Sequence, residues 1–152
     1  MKFISNSKVN NHKSQICGLL EWAEKCVLCT SFIDKKGFNH LSKSICSGIE
    51  ERGLNITVYS NGEAKYTKQE TINLLSSVNG LVHKVTRGKR RLHSKIYYFE
   101  KGLEFIVIIG SANITHNGLV KNIELSTQIS GDIGSHEHQE ILSQLLQVES
   151  EC

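Results

Sequence analysis

The sequence lacks the features of a membrane-spanning or disulfide-rich protein. Its longest uninterrupted apolar run is Phe105–Ile109, far short of the roughly 20 residues that cross a bilayer. Residues 1–15 contain no apolar core of a signal peptide. The five cysteines are odd in number, and Cys26 and Cys29 lie in one apolar run without a second pair downstream, so we expect buried strand thiols. These absences predict a soluble, cytoplasmic protein.

A strong net charge is also missing, because 18 Lys and Arg against 15 Asp and Glu leave a formal charge of only +3. The charges are nevertheless segregated along the chain. Seven Lys and Arg and one acid lie between Lys84 and Lys101, whereas six acids and no Lys or Arg follow Lys121. A run of cations is ordinarily a solvated loop, but this one also offers a positive stripe to an anionic ligand. We call residues 84–91 the basic segment; its cations are Lys84, Arg87, Lys89, Arg90 and Arg91.

The order of predicted elements indicates one α/β domain over residues 1–152, with no linker or repeat. Apolar spacing predicts helices over Ser14–Lys25, Gly37–Glu51 and Ser135–Val148, and another after a capping box formed by Thr67 and Glu70. Predicted strands are Cys26–Ile33, Leu54–Tyr59, Leu81–Thr86, Leu92–Phe99, Leu103–Ile109 and Ile123–Ser130, with a hairpin at Lys101-Gly102. This alternation is typical of a sheet with helices packed on its faces.

Chemically capable side chains concentrate around two of the predicted strands. Alternation along a strand places His93 and Lys95 on the same side, where burial would be costly without an anion to compensate. Gly110 ends the next strand, and Ser111 and Asn113 then offer a hydroxyl and an amide at the strand end. Glu124, farther on, is suited to accept a hydrogen bond from an imidazole. A nucleophile or base, a cation and neutral donors together suit a tetrahedral phosphate.

These residues resemble a known motif. His93-Ser-Lys95, Gly110-Ser-Ala-Asn113 and Glu124 are similar to the HxK…GSxN…E pattern of the phospholipase D superfamily, most closely to its bacterial single-motif nucleases and related restriction-endonuclease domains. The GSxN begins 15 residues beyond the lysine, and the carboxylate follows 11 residues after the asparagine. The extended pattern has aspartate five residues past the lysine, where this chain has Glu100. We therefore assign Glu100 a structural hydrogen bond or turn contact rather than a direct role.

The resemblance implies a phospholipase D-like fold, a mixed β-sheet with helices on both faces, and a role for each motif residue. His93 would attack phosphorus, Lys95 and Asn113 would bind the non-bridging oxygens, and Ser111 would assist in the phosphate pocket. Glu124 would hold His93. Such enzymes use no metal or other cofactor. Because the chain has one HxK, the second histidine is expected from a homodimer with the active site at its two-fold interface.

The resulting hypothesis is a metal-independent phosphodiesterase, a nuclease with an endonuclease-like hydrolase activity, serving as the cleavage domain of a restriction or defence system. We expect a nucleic-acid partner, DNA rather than RNA, held by the basic segment and by His116. Tyr97 and Tyr98 point to opposite faces, so one is expected in the core and the other as a base-stacking candidate. Two alternatives are a lipid phosphodiesterase or phosphatidyl transferase, disfavoured by the missing membrane segment, and a non-catalytic nucleic-acid-binding module.

Overall fold

The computed structural model describes Met1–Cys152. Its strands are β1 (Lys2–Ile4), β2 (Lys25–Thr30), β3 (Asn55–Asn61), β4 (Leu81–Thr86), β5 (Ile96–Lys101), β6 (Glu104–Gly110) and β7 (Ser126–Asp132). Its helices are α1 (His12–Trp22), α2 (Lys35–Arg52), α3 (Gln69–Ser76) and α4 (His136–Ser150), and a single π-helical turn covers Asn117–Lys121. The strands form one sheet in the order β1-β7-β6-β5-β2-β3-β4.

The sheet is mixed, as predicted. Strands β2, β3 and β4 are mutually parallel and are connected through α2 and α3. Strands β5, β6 and β7 are antiparallel neighbours, and β5 also pairs antiparallel with β2. The hairpin predicted at Lys101-Gly102 is confirmed, because Lys101 pairs with Glu104 and Gly102 adopts a φ of 57°, a value that favours glycine.

Helices cover both faces of the sheet, which confirms the predicted α/β architecture. On one face, α1, α2 and α3 bury Ile16, Leu41 and Leu75 against the strands. On the other, α4 packs Ile141 and Leu145 against its own smaller cluster. Each face thus removes a continuous apolar surface from water, the main contribution that stabilises such a layered fold.

The cysteines of β2 are buried free thiols, as expected. Cys26 belongs to the cluster beneath α1–α3, and Cys29 belongs to the cluster beneath α4. Because neighbours of opposite parity point to opposite faces of a strand, the two sulfur atoms lie on different sides of the sheet. Burial raises the pKa of the Cys29 thiol to about 12, so the thiol stays protonated at neutral pH.

None of the helices has the length and apolar composition to cross a lipid bilayer.

Three of the four helices, α1, α2 and α4, begin with a side-chain cap, and α3 does not. The side chain of Asn11 accepts the backbone N–H of Ser14 at the start of α1, and that of Asp34 accepts the N–H of Gly37 at the start of α2. The capping box predicted at Thr67 is wrong. Helix α3 begins at Gln69 with no side-chain cap, because Thr67 instead forms a β-bridge with Ile33 and its hydroxyl is buried without a partner.

Further predictions made from the sequence need correction. Strand β5 begins at Ile96 and β7 at Ser126, so His93, Lys95 and Glu124 precede their strands instead of lying within them. Neither Tyr97 nor Tyr98 is available to stack on a base, because both side chains are fully buried on opposite faces of the sheet. Strand β1 and the π-helical turn were not predicted. Both are stabilised by contacts with distant parts of the chain, and neither carries a strong local signal.

Candidate active site

The candidate site forms where the beginnings of β5 and β7 meet the end of β6. The carbonyl of Lys95 accepts the N–H of Gly110 at 3.3 Å, and Gly110 lies opposite Ser126. A Cβ at Gly110 would lie 2.5 Å from the carbonyl oxygen of Leu125, so only glycine allows this close approach. The sheet thereby places Lys95, Ser111 and the chain just before β7 at the same end of these three strands.

Lys95 is a buried cation at this end of the strands. Its side chain is only 9% exposed, and its Nζ donates to the carbonyl of His93 at 2.8 Å. Burial lowers the pKa of Lys95, and the negative charge of Glu124 opposes that shift. The ammonium has three donors, of which one is used within the chain. It can therefore give its remaining donors to an anion that enters the site.

Ser111 and Glu124 form a second part of the site. The Ser111 hydroxyl donates to the Glu124 carboxylate and accepts the N–H of Leu125 at 3.1 Å. The other carboxylate oxygen accepts from Asn122 Nδ2 at 3.3 Å. The hydrogen bond expected between Glu124 and His93 is not formed in this structure. The reason is the local pairing of residue 111 with residue 125, which brings the serine hydroxyl next to the carboxylate.

Asn113 presents an oriented amide. Its Oδ1 accepts the backbone N–H of Phe32 at 2.9 Å and lies 3.2 Å from Thr30 Oγ1. Because the oxygen is engaged in this way, the Nδ2 group is the free end and has no partner within the chain. Beneath it, the buried hydroxyl of Tyr97 donates to the carbonyl of Ala112 at 2.5 Å. Burial strongly raises the pKa of Tyr97, so it remains a donor that fixes the loop.

His93 is exposed, and its ring makes no hydrogen bond within the chain. It lines an open hollow together with Arg90, Arg91 and Gln144. The structure therefore brings Lys95, Ser111 and Glu124 together at the strand ends. It leaves the imidazole of His93 accessible, with two cations of the basic segment around the same hollow.

The basic segment divides into paired and unpaired cations. Lys84 forms an ion pair with Glu149 at 2.6 Å, and Arg91 forms one with Glu63 at 3.2 Å. The remaining cations are exposed and have no ion pair; they are Arg87, Lys89 and Arg90. The unpaired cations line an open groove together with residues 61–63. This groove offers the positive surface predicted from the sequence.

Two further polar residues have local partners. His116 is exposed, and its Nδ1 lies 2.9 Å from Nε2 of His40. It lines one open pocket with Asn113 and Phe32. Glu100 accepts a hydrogen bond from the Tyr98 hydroxyl at 2.5 Å, in agreement with the structural contact expected for it.

Sequence reasoning missed the residues that orient the site from elsewhere in the chain. Thr30, Phe32 and His40 lie 60 or more positions before the GSxN motif, and no local pattern linked them to it. One signal was available for Phe32, because it follows the apolar run that forms β2. No group of three or more His, Cys, Asp or Glu side chains is arranged to bind a metal ion.

Comparisons with known proteins agree with this architecture. Over 60 residues, 40% of this chain, the sequence is 37% identical to DISARM protein DrmC of Bacillus paralicheniformis, but the match spans only 24% of that protein. NucT from Helicobacter pylori has the same fold, with a TM-score of 0.73 over 99% of this chain and 96% of its own, at 13% identity. Nuc from Salmonella typhimurium, a phospholipase D family member, gives 0.70 over 99% and 91% at 14% identity.

The family comparison covers most of the chain. Residues 17–146 match the family described as "Cardiolipin synthase, PLD-like domain". This range contains the strands and loops that carry His93, Lys95, Ser111, Asn113 and Glu124. The match confirms the resemblance seen in the HxK and GSxN motifs. The chain therefore belongs to the PLD-like domain family.

Proposed function

We propose that this protein is a metal-independent phosphodiesterase that cleaves nucleic acid through a phosphohistidine intermediate on His93. The observation that carries the proposal is the oriented set of donors beside that histidine. Buried Lys95 and the free amide of Asn113 each retain an unused donor at the ends of neighbouring strands. Donors fixed in advance stabilise charge that develops on phosphate oxygens without having to reorganise.

In the first chemical step, an imidazole nitrogen of His93 bonds to phosphorus while the bond from phosphorus to the leaving oxygen breaks. The electron pair remains on the leaving oxygen, which takes a proton from a general acid. Water then attacks phosphorus and gives a proton to the general acid, which lost its own proton in the first step; the phosphorus–nitrogen bond breaks, and its electron pair returns to His93. Lys95 and Asn113 bind the non-bridging oxygens throughout. Glu124 accepts the Ser111 hydroxyl, which holds the loop that leads to Asn113 beside the phosphate site, and balances the charge of Lys95.

The general acid is assigned to His93 of a second copy of the chain. One His93 cannot be both the unprotonated nucleophile and the protonated acid in the same step. An isologous dimer with its axis beside the site supplies the second imidazole. Large apolar side chains flank the site residues and are exposed; they are Ile109, Ile123 and Leu125. Such side chains favour coverage of this edge by another protein surface.

Nucleic acid is the proposed substrate because unpaired cations line the groove next to His93. Arg87, Lys89 and Arg90 would contact the phosphate backbone, together with Lys84 and Arg91 of the same segment. His116 would contact the substrate from the separate pocket that it lines with Asn113. The likeness to DISARM protein DrmC supports a role as the cleavage domain of a restriction or defence system, with DNA as the substrate.

The chemistry is tested by hydrolysis of bis-p-nitrophenyl phosphate and of plasmid DNA in excess EDTA. We expect turnover of both, and a phosphorylated peptide containing His93 after rapid quenching at alkaline pH. The His93→Ala variant should lose activity by about 10³-fold, whereas His136→Ala on the exposed start of α4 should retain it. Activity that vanishes in EDTA and returns with Mg²⁺ would contradict the mechanism. DNA binding without turnover would favour the non-catalytic binding module.

The shared site is tested by unfolding wild-type and His93→Ala chains together and refolding them at different ratios. If each site needs two histidines, activity should follow the square of the wild-type fraction. A linear decline would mean that each chain works alone. In that case the acid would be a residue of the same chain, and His116 would be the first to replace.

A further inference from the structure

Phe32 and Tyr66 form an aromatic pair outside both apolar clusters of the protein. Their ring centroids are 4.4 Å apart, and the rings meet edge to face at 76°. Phe32 follows β2, whereas Tyr66 precedes α3, and the N–H of Ile33 donates to the Tyr66 carbonyl between them. Phe32 is 38% exposed, and neither ring belongs to the core clusters. Packing of the fold therefore does not account for this pair.

The pair is attached directly to the candidate site. The backbone N–H of Phe32 donates to Asn113 Oδ1 at 2.9 Å, and Phe32 and Asn113 line the same open pocket. The free Nδ2 of Asn113 is the group assigned to a phosphate oxygen. A phosphate bound there would have the Phe32 ring beside it, where the next nucleotide of the strand would lie.

Two cations border the Tyr66 ring. The Arg91 guanidinium lies 5.3 Å from the centre of that ring, and Lys65 Nζ lies 4.9 Å from it. Both cations also pair with Glu63 on the surface, at 3.2 and 3.4 Å. Arg91 belongs to the basic segment, so the aromatic pair connects that segment to Asn113. Aromatic rings interleaved with cations are the arrangement by which proteins bind unpaired nucleotides, because rings stack on bases and cations attract phosphates.

We propose that Phe32 and Tyr66 form a stacking platform for an unpaired base next to the scissile phosphate. The substrate is then single-stranded nucleic acid or a locally unpaired strand. In a duplex, by contrast, each base is already stacked between its neighbours and is not available to a ring outside the helix. This inference rests on the proposed function, since it names the substrate class of the same site.

The test measures binding of a fluorescent single-stranded DNA oligonucleotide to full-length protein in EDTA, in a His93→Ala background that prevents cleavage. Phe32→Leu should weaken binding about tenfold, whereas Phe32→Tyr, which keeps the ring, should bind within about twofold of the parent. Phe3→Leu is the matched control, because Phe3 is an exposed aromatic on β1, outside the site. It should leave affinity unchanged.

A second arm changes the ligand instead of the protein. The same oligonucleotide made with abasic residues should bind the His93→Ala parent about as weakly as the intact oligonucleotide binds the Phe32→Leu variant. The Phe32→Leu variant should bind the intact and the abasic oligonucleotides with equal affinity. Equal weakening of intact and abasic strands by Phe32→Leu would overturn the platform, as would duplex DNA binding as tightly as single strands. Wild-type hydrolysis of bis-p-nitrophenyl phosphate separates these results from failure of the proposed function, because that substrate has no base.

Discussion

The candidate site and the basic segment lie next to each other but present their polar groups differently. At the site, Lys95 and Asn113 are each fixed by hydrogen bonds to the chain and keep only selected donors free. In the basic segment, Arg87, Lys89 and Arg90 are exposed and unpaired. Fixed donors select one anion geometry, whereas mobile surface cations attract any polyanion and are screened by salt. The first region is suited to chemistry and the second to capture.

The largest effect expected from this difference is that of Asn113→Asp. The new carboxylate can still accept from Phe32 N–H and Thr30, but its free end is an oxygen instead of a donor. It would then repel the phosphate that Asn113 binds. We expect hydrolysis of both bis-p-nitrophenyl phosphate and DNA to fall by roughly 10²–10³-fold, measured as kcat/KM.

The matched control is Asn39→Asp, which adds the same charge on the exposed surface of α2. It should retain activity and thermal stability close to those of wild type. If Asn113→Asp kept full activity on the small diester, the assignment of this amide to the phosphate would be wrong.

The basic segment should show the opposite pattern. Charge reversal at Arg87 and Lys89, which line the groove but not the hollow of His93, should weaken DNA binding at least tenfold and reduce the slope of log K against log salt by about 0.9 per lost phosphate contact. Hydrolysis of bis-p-nitrophenyl phosphate should change little, because that substrate does not extend into the groove. Affinity titrations at several salt concentrations measure the difference.

Lys84 offers a comparison within the same segment. Its ammonium is already 2.6 Å from Glu149, and the hydrogen bond that it donates to that carboxylate raises the pKa of Lys84. Lys84→Gln should therefore reduce DNA affinity less than Lys89→Gln does. Equal losses for the two variants would show that the ion pair opens when DNA binds. Equal losses on DNA and on the small diester after charge reversal would place the segment in the catalytic site.

How far the sequence could predict these regions depends on how local their determinants are. The hairpin, the β-α-β alternation and the spacing of His93, Lys95 and Asn113 are encoded in short stretches, and the structure agrees with the first two. The partners of the site residues are not local. Phe32 meets Asn113 only because β2 lies beside β5, whose neighbour β6 leads into the GSxN loop.

The incorrect predictions have related causes. The Thr67 side chain was expected to cap α3, but the pairing of its backbone with Ile33 moved the helix start. The sequence left Tyr98 as a base-stacking candidate, because alternation along the strand points it to the sheet face opposite that of Tyr97. Helix α4, almost 40 residues farther along the chain, covers that face and buries the ring against His138. Alternation identifies the face of a strand, but only the tertiary structure shows whether another element covers it.

The smallest expected effect concerns stability and contrasts exposed His93 with a half-buried histidine in β4, the strand that runs into the basic segment. His83 lies in β4, with Nε2 2.8 Å from Ser60 Oγ, and burial lowers its pKa to about 4. An unfolded chain binds this proton near pH 6.5. Between these values the unfolded state holds a proton that the folded state lacks, so the free energy of unfolding decreases as pH falls from 6.5 toward 4. Because solvent partly screens the ring, we expect roughly 1–2 kcal/mol from this histidine between pH 7 and 5. Urea unfolding at both pH values should show a smaller decrease in His83→Gln than in wild type. An unchanged pH dependence in the variant would mean that His83 has the same pKa in the folded and unfolded states. Its burial would then not reduce the free energy of unfolding at low pH.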